Sequence, residues 1–471
     1  MMRSTIIAGS KRAAILGAAA IFVVAATGPV LAEVSRVVVK ESGPLGTFGG
    51  RQYTWVTAAM EGSVARDDGT TGHYRVPVSL MYPDRDPNGF GFVDVVNSAD
   101  FWLYLDETAP MGKRKIYYVG DVIFSDYLRR EGFVYISVQW ARMVTEVLGS
   151  DYGVIEDGRD GYQIVKDAAR FLRSPDGLEG DLPSRPQAVD HVIAFGYSQT
   201  GSLLLEMVRS GQNRGQEGEV IFDSVLAGGH AGWCLVLNND GTPRPGPGPT
   251  IPLFSRGDYC DGPLPQDGKF IAIETEADLD ADQSYRIRHD SPSFRQYELA
   301  GVAHIPTDLN GLETIGAKRQ NPVSFRPVYK ATLRNLVEWI ESGKEPPASR
   351  YIEGRVDSEG EFHFARDGGG HVKGGLRLPH MPTVLANGGQ AGAPLGVYLG
   401  LDPDYKDHPN LYAWYGGSFE PFSAEELVAR YPSRDAYTEL VRKAAAALLA
   451  DRFILQEDYD AYIRSAEVQR W

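Results

Sequence analysis

The chain has 471 residues, of which 43% are hydrophobic and 23% charged, and its formal net charge is −15. These values exclude a disordered or collagen-like chain, and the length allows a large buried core without a disulfide scaffold. The acidic balance argues against nucleic acid as a partner.

At the N-terminus, Arg3, Lys11 and Arg12 form a positive head, followed by the apolar stretch AAILGAAAIFVVAA and by Val30-Leu31-Ala32. This pattern predicts a secretory signal over residues 1–32, cleaved after Ala32. The alternative is an uncleaved anchor, which the short apolar stretch and the small-residue site disfavour. Cleavage removes three positive charges and takes the net charge from −15 to −18. The mature protein is expected to be exported, periplasmic or secreted, with no stable membrane insertion.

Beyond the signal, the runs VSRVVV, YTWVTAAMEG and HYRVPVSLMY are separated by Gly and Asp-Gly turn signals and predict an antiparallel opening. A buried strand is expected at 92–97 (FVDVVN), a helix at 121–130 and a strand at 133–138. In residues 159–174, Ile164, Val165, Ala168, Phe171 and Leu172 recur at helical spacing. HVIAF then reads as a strand and SLLLEMVRS as a helix, followed by strands at 220–228, 269–275 and 294–301 and a helix at 329–342. From about residue 92, strands alternate with helices, which implies a mostly parallel central sheet with helices on both faces and an antiparallel N-terminal edge. That is the layout of the α/β-hydrolase fold. The core is expected to span 33–345, with a Pro/Gly-rich insertion near 234–268. Residues 346–471 read as a C-terminal α/β extension packed on it, with helices near 423–431 and 435–450. Ser423 and Glu426 have the spacing of a helix capping box.

In such a sheet, chemistry sits on loops at the C-terminal ends of the parallel strands. Residues 196–201, Gly-Tyr-Ser-Gln-Thr-Gly, fall between a strand and a helix. This is the place of a nucleophile elbow, a strained turn that exposes a serine hydroxyl. Ser198 is the candidate nucleophile. The usual spelling has glycine two residues after the serine; here Thr200 holds that place and Gly201 comes one residue late. A serine hydroxyl needs a histidine to take its proton, and the histidine needs a carboxylate to hold its tautomer. His304, in GVAHIP after the last core strand, is the candidate base. His230, after the strand at 220–228, is the rival and a candidate pocket residue. The acid lies in IETEADLDAD, where both Glu276 and Asp278 sit close enough to the strand end. The oxyanion hole needs two N–H donors. Gln199 would supply one, and the loop after the early strand, at Asn97, Ser98 and Ala99, the other.

Cys234 and Cys260 are the two cysteines, and an exported context permits a structural disulfide between them. Trp233, just before the first cysteine, and Leu235 and Phe254, between the two, offer an apolar lining for a pocket wall. No metal or other cofactor is expected. Asp278, Asp280 and Asp282 mimic the start of a calcium loop, but Gln283 stands at position six instead of Gly and His289 at position twelve instead of Glu.

The run GYSQTG resembles the G-x-S-Q-S/T-G elbow of a bacterial "alpha/beta hydrolase domain" family. VVNSADF, DAARFLR, the ETE at 274–276, the GVAH loop and GGLRLP at 374–379 are also similar to that family's pattern. The resemblance covers most of the mature chain. It implies serine hydrolase chemistry with Ser198 as nucleophile and His304 as base, and it places the acid on Glu276. The family often has Asn-Arg-Gly after the early strand, where this chain has Asn97-Ser98-Ala99. The resulting expectation is a hydrolase of a small-molecule carboxylic ester. The alternatives are an acyltransferase or peptidase with the same triad, or an inactive binding protein on the same scaffold.

Overall fold

The computed structural model describes residues 33–470 apart from 67, 98–118, 152, 231, 233, 238–259, 261–263, 265–266, 283, 290, 311–313, 316–317, 403 and 405–410. The predicted signal segment, Ser98, Ala99, Trp233 and Phe254 therefore lie outside the described residues. The main sheet has eleven strands, two of them the two-residue strands Val154–Ile155 and Leu178–Glu179. The nine longer ones are β1 (Glu33–Phe48), β2 (Arg51–Ala65), β3 (Thr71–Pro83), β4 (Phe90–Val95), β5 (Val134–Val138), β6 (His191–Tyr197), β7 (Ser224–Gly228), β8 (Lys269–Thr275) and β9 (Phe294–Leu299). Among the helices that surround it or follow it are α1 (Asp160–Arg173), α2 (Gln199–Arg209), α3 (Glu276–Asp282), α4 (Arg326–Ser342), α5 (Arg434–Ala450) and α6 (Gln456–Val468).

The strand order is β9-β8-β7-β6-β4-β5-β3-β2-β1. The five pairings from β9 to β5 are parallel, and those joining β5, β3, β2 and β1 are antiparallel. The parallel half is buried on both faces, which is why its strands read as continuous apolar runs rather than as alternating ones. Successive residues of β6 serve opposite faces: Val192 and Ala194 join the core that holds α1 and α2. Ile193, Phe195 and Tyr197 join the core that holds α4. The same alternation holds in β8, with Phe270 and Ala272 on one face and Ile271 and Ile273 on the other.

Two predicted elements are shorter than expected. The helix expected at 121–130 is two short helices, Val119–Phe124 and Tyr127–Glu131, interrupted at Ser125, whose φ of 55° no helix accommodates. The strand expected at 220–228 begins only at Ser224, because Ile221 gives its N–H to Asn213 O rather than to a neighbouring strand.

Past residue 345 the chain runs beside β9. Arg350 and Leu376 form parallel bridges with Tyr297 and Leu299. Glu298 N–H donates to Arg350 O and Ala300 N–H to Leu376 O, at 2.9 and 3.1 Å. These segments satisfy the backbone of a strand that would otherwise be an open edge. The terminal helix α6 is tied to the core by Glu457, which accepts from Arg130 at 2.8 Å and from Lys330 at 2.7 Å. The Ser423–Glu426 capping box forms in both directions.

Candidate active site

β4 leads to β5 on one side and lies against β6 on the other, so the strand order reverses at β4 and β6. Ligand sites of open α/β sheets lie beyond the strand ends at such a reversal. Ser198 stands there, one residue after β6 and directly before α2. Its backbone has φ 57° and ψ −119°, a conformation that costs a non-glycine residue on the order of 1–3 kcal/mol. Gly196 makes the turn possible: a Cβ there would meet the carbonyl carbon and oxygen of Thr200 at 2.5 Å. Thr200, in the place of the missing glycine, is buried. Its hydroxyl accepts from Tyr197 N–H at 3.0 Å and donates to Tyr197 O at 3.1 Å. The threonine thus stitches the elbow together instead of obstructing it.

His304 Nε2 lies 3.1 Å from Ser198 Oγ. On the other side of the ring, Nδ1 lies 2.6 Å from Asp278 Oδ1. The three side chains form a continuous chain, with Ser198 half-buried and the other two buried. Tyr197 and Tyr415 flank the histidine ring, with centroids at 5.2 and 5.0 Å, and the Tyr197 hydroxyl donates to His304 O. Gly229, at φ 55°, lies under the ring; a Cβ there would meet His304 Cε1 at 2.8 Å.

The expected preference for Glu276 as the histidine's partner is corrected by this geometry. Glu276 Oε2 accepts from Gly301 N–H and Oε1 from Arg366, both at 2.9 Å. Burial pushes its carboxyl up, against the opposing pull of Arg366. The reason is helical phase. β8 ends at Thr275 and α3 begins at Glu276, so Asp278 is the third helical residue. From there its Oδ2 reaches back to accept the Thr275 N–H at 2.6 Å and the Thr275 hydroxyl at 2.8 Å, leaving Oδ1 for His304. The four residues Thr275-Glu276-Ala277-Asp278 have capping-box spacing, the sequence signal that favours Asp278 over Glu276.

His230 is fully buried, and Gly232 N–H donates to its Nδ1 at 3.0 Å. Its Nε2 lies 3.0 Å from Glu274 Oε1, though not aligned as a hydrogen bond. Burial pushes its pKa down to about 4. Its backbone N–H donates to Glu274 Oε1 and its carbonyl accepts from the Ser202 hydroxyl, so it braces the turn after β7. Gln199 opens α2, where the first N–H groups are not used by the helix itself. Asn97, at the end of the early strand, is buried and reaches Tyr197 O through Nδ2 at 3.4 Å.

Cys234 and Cys260 are disulfide-bonded, with Cα atoms 5.2 Å apart. Together with Glu206 they are the one group with metal-ligand proximity among the described residues, and both sulfurs are committed to each other. No helix among the described residues is long and apolar enough to cross a membrane.

No curated protein matches the sequence. Several solved structures are similar at low identity. Esterase Est22 is 11% identical over 61% of this chain and 81% of its own, with a TM-score of 0.32. An arylesterase is 14% identical over 51% and 75%, at 0.27. A CE15 glucuronoyl esterase from Teredinibacter turnerae T7901 is 10% identical over 41% and 44%, at 0.24, so the chain spans less than half of that protein. The family described as "Alpha/beta hydrolase domain" matches residues 123–464, a stretch that holds the elbow, the histidine loop, both candidate acids and most of the C-terminal segment. With a mostly parallel sheet, an antiparallel edge and a serine on a strained turn at the strand-order reversal, the chain belongs to the alpha/beta hydrolase family.

Proposed function

We propose that the protein is an exported serine hydrolase that cleaves a small-molecule carboxylic ester through an acyl-enzyme on Ser198. The observation that carries this reading is the Ser198–His304–Asp278 chain, at 3.1 and 2.6 Å, on a turn that strains the serine backbone. Ser198 Oγ attacks the ester carbonyl carbon while His304 Nε2 takes its proton. Asp278 holds the Nδ1 proton, fixing the tautomer and stabilising the imidazolium. The oxyanion meets the Gln199 N–H at the positive end of α2, and a second donor is assigned to the loop that begins at Asn97 and Ser98. The intermediate collapses, the alkoxide takes the proton from Nε2, and water repeats the sequence to release the acid and regenerate Ser198. No cofactor is needed for these steps. The positive head and apolar stretch before Ala32 support export, and a disulfide suits an oxidising compartment.

The test is turnover of p-nitrophenyl esters by the protein beginning at Glu33. Ser198→Ala and His304→Ala should each lose at least about a thousandfold in kcat. Equal turnover by Ser198→Ala would overturn the reading. Faster cleavage of peptide anilides, or faster acyl transfer to an added alcohol than to water, would replace ester hydrolysis with peptidase or acyltransferase chemistry.

A further inference from the structure

We infer that Glu276 and Arg366 are a positioning pair through which the C-terminal segment holds the loop that carries His304. This rests on the assignment of His304 as the base of Ser198. The loop is gripped at one residue, through the peptide groups on either side of it. Gly301, three residues before His304, gives its N–H to Glu276 at 2.9 Å, and its carbonyl accepts from Asn321 Nδ2 at 3.0 Å. Each grip continues past residue 345. Arg366 Nη2 donates to the second oxygen of Glu276 at 2.9 Å, and Asn321 Nδ2 also donates to Leu399 O at 3.0 Å. Directly after the histidine, Ile305 N–H donates to Tyr415 O at 3.0 Å. The backbone on both sides of His304 is therefore referenced to a region that contributes no member of the Ser198–His304–Asp278 chain.

Glu276 is a buried carboxylate, and such a group is costly unless it is paired and hydrogen-bonded. Arg366 is its cation, anchored in turn by Nη1 on Gly370 O at 3.0 Å. Removing the cation leaves a buried charge whose relief is protonation or movement of the side chain, and either loosens the grip on Gly301. His304 must hold its ring between Oγ and Oδ1 at once. A displacement of about 1 Å in such an arrangement costs up to a hundredfold in rate.

The experiment compares Glu276→Gln, Arg366→Met, Arg366→Lys and the double variant Glu276→Gln/Arg366→Met in ester hydrolysis, with active sites titrated by a fluorophosphonate. Arg366 is about a third exposed, so its replacements leave no sealed cavity. The expected result for Arg366→Met and Glu276→Gln is a kcat per titrated site lower by about tenfold to a hundredfold, with KM within about twofold. Arg366→Lys should recover part of the loss, and the double variant should be no slower than the slower single, because both act through one contact. If kcat per titrated site stays within about twofold of wild type, or if only the number of titratable sites falls, the pair is structural and the inference is overturned. Failure of the underlying reading is separate: Ser198→Ala would then keep its turnover whatever the pair does.

Discussion

At Thr200, a residue that breaks the usual elbow spelling makes the elbow's own hydrogen bonds. Its hydroxyl closes on both backbone groups of Tyr197. Thr200→Val keeps the shape and removes both bonds inside a buried turn, which should destabilise the protein by about 1–3 kcal/mol. It should also lower kcat by loosening Ser198. Unchanged melting temperature and kcat would show that the turn is held by packing alone. His230 gives a pH prediction at the same scale. Its Nδ1 is an acceptor and burial pushes its pKa down to about 4, so the folded protein holds it neutral where the unfolded chain would protonate it. A histidine with a depressed folded pKa contributes stability that is complete above its unfolded pKa of about 6.5 and lost as pH falls toward 4. The melting temperature of the wild type should fall between pH 7 and 4.5. His230→Asn, whatever its stability at pH 7, should show a shallower fall; an equal slope would contradict the assignment.

Among the elements, α3 decides the acid. In the run ETEADLDAD the boundary between strand and helix is not marked by a Gly or Pro, and a shift of one or two residues exchanges the roles of Glu276 and Asp278. The resemblance to family motifs pointed to Glu276, because a motif records residue type and spacing but not the direction of a side chain. The turn of α3 directs Asp278 to His304 and leaves Glu276 on Gly301. Thr275 locks this choice through two bonds to Asp278 Oδ2. Thr275→Val removes the hydroxyl bond while the N–H bond remains, and kcat should fall by about tenfold, the equivalent of a hydrogen bond to a charged group. A thermal shift without a change in kcat would make Thr275 a helix cap and nothing more. Asp278→Asn should cost far more, on the order of ten-thousandfold, by favouring the wrong histidine tautomer.

For the whole molecule, the alternation of strands and helices after residue 92 was legible because each parallel strand is buried on both faces and each helix on one, and burial leaves a period in the sequence. The elbow and the histidine loop were legible for a related reason, since fold class confines them to strand ends. The pairing of Arg350 and Leu376 along β9, the pair Glu276–Arg366 and the clasp of Asn321 were not, because partners tens of residues apart share no local period. Cys234 and Cys260, 26 residues apart and both buried, are the exception, because two cysteines in an exported chain suggest their own pairing. Replacing both by alanine should cost about 2–5 kcal/mol, read as a lower denaturant midpoint; an unchanged midpoint would show that the bond is dispensable. Fluorophosphonate labelling followed by peptide mass mapping shows whether Ser198 is the nucleophile that His304 activates. One adduct per chain is expected, on Ser198, lost in Ser198→Ala and formed much more slowly in His304→Ala. An adduct on another residue, or labelling of Ser198→Ala at the wild-type rate, would contradict it.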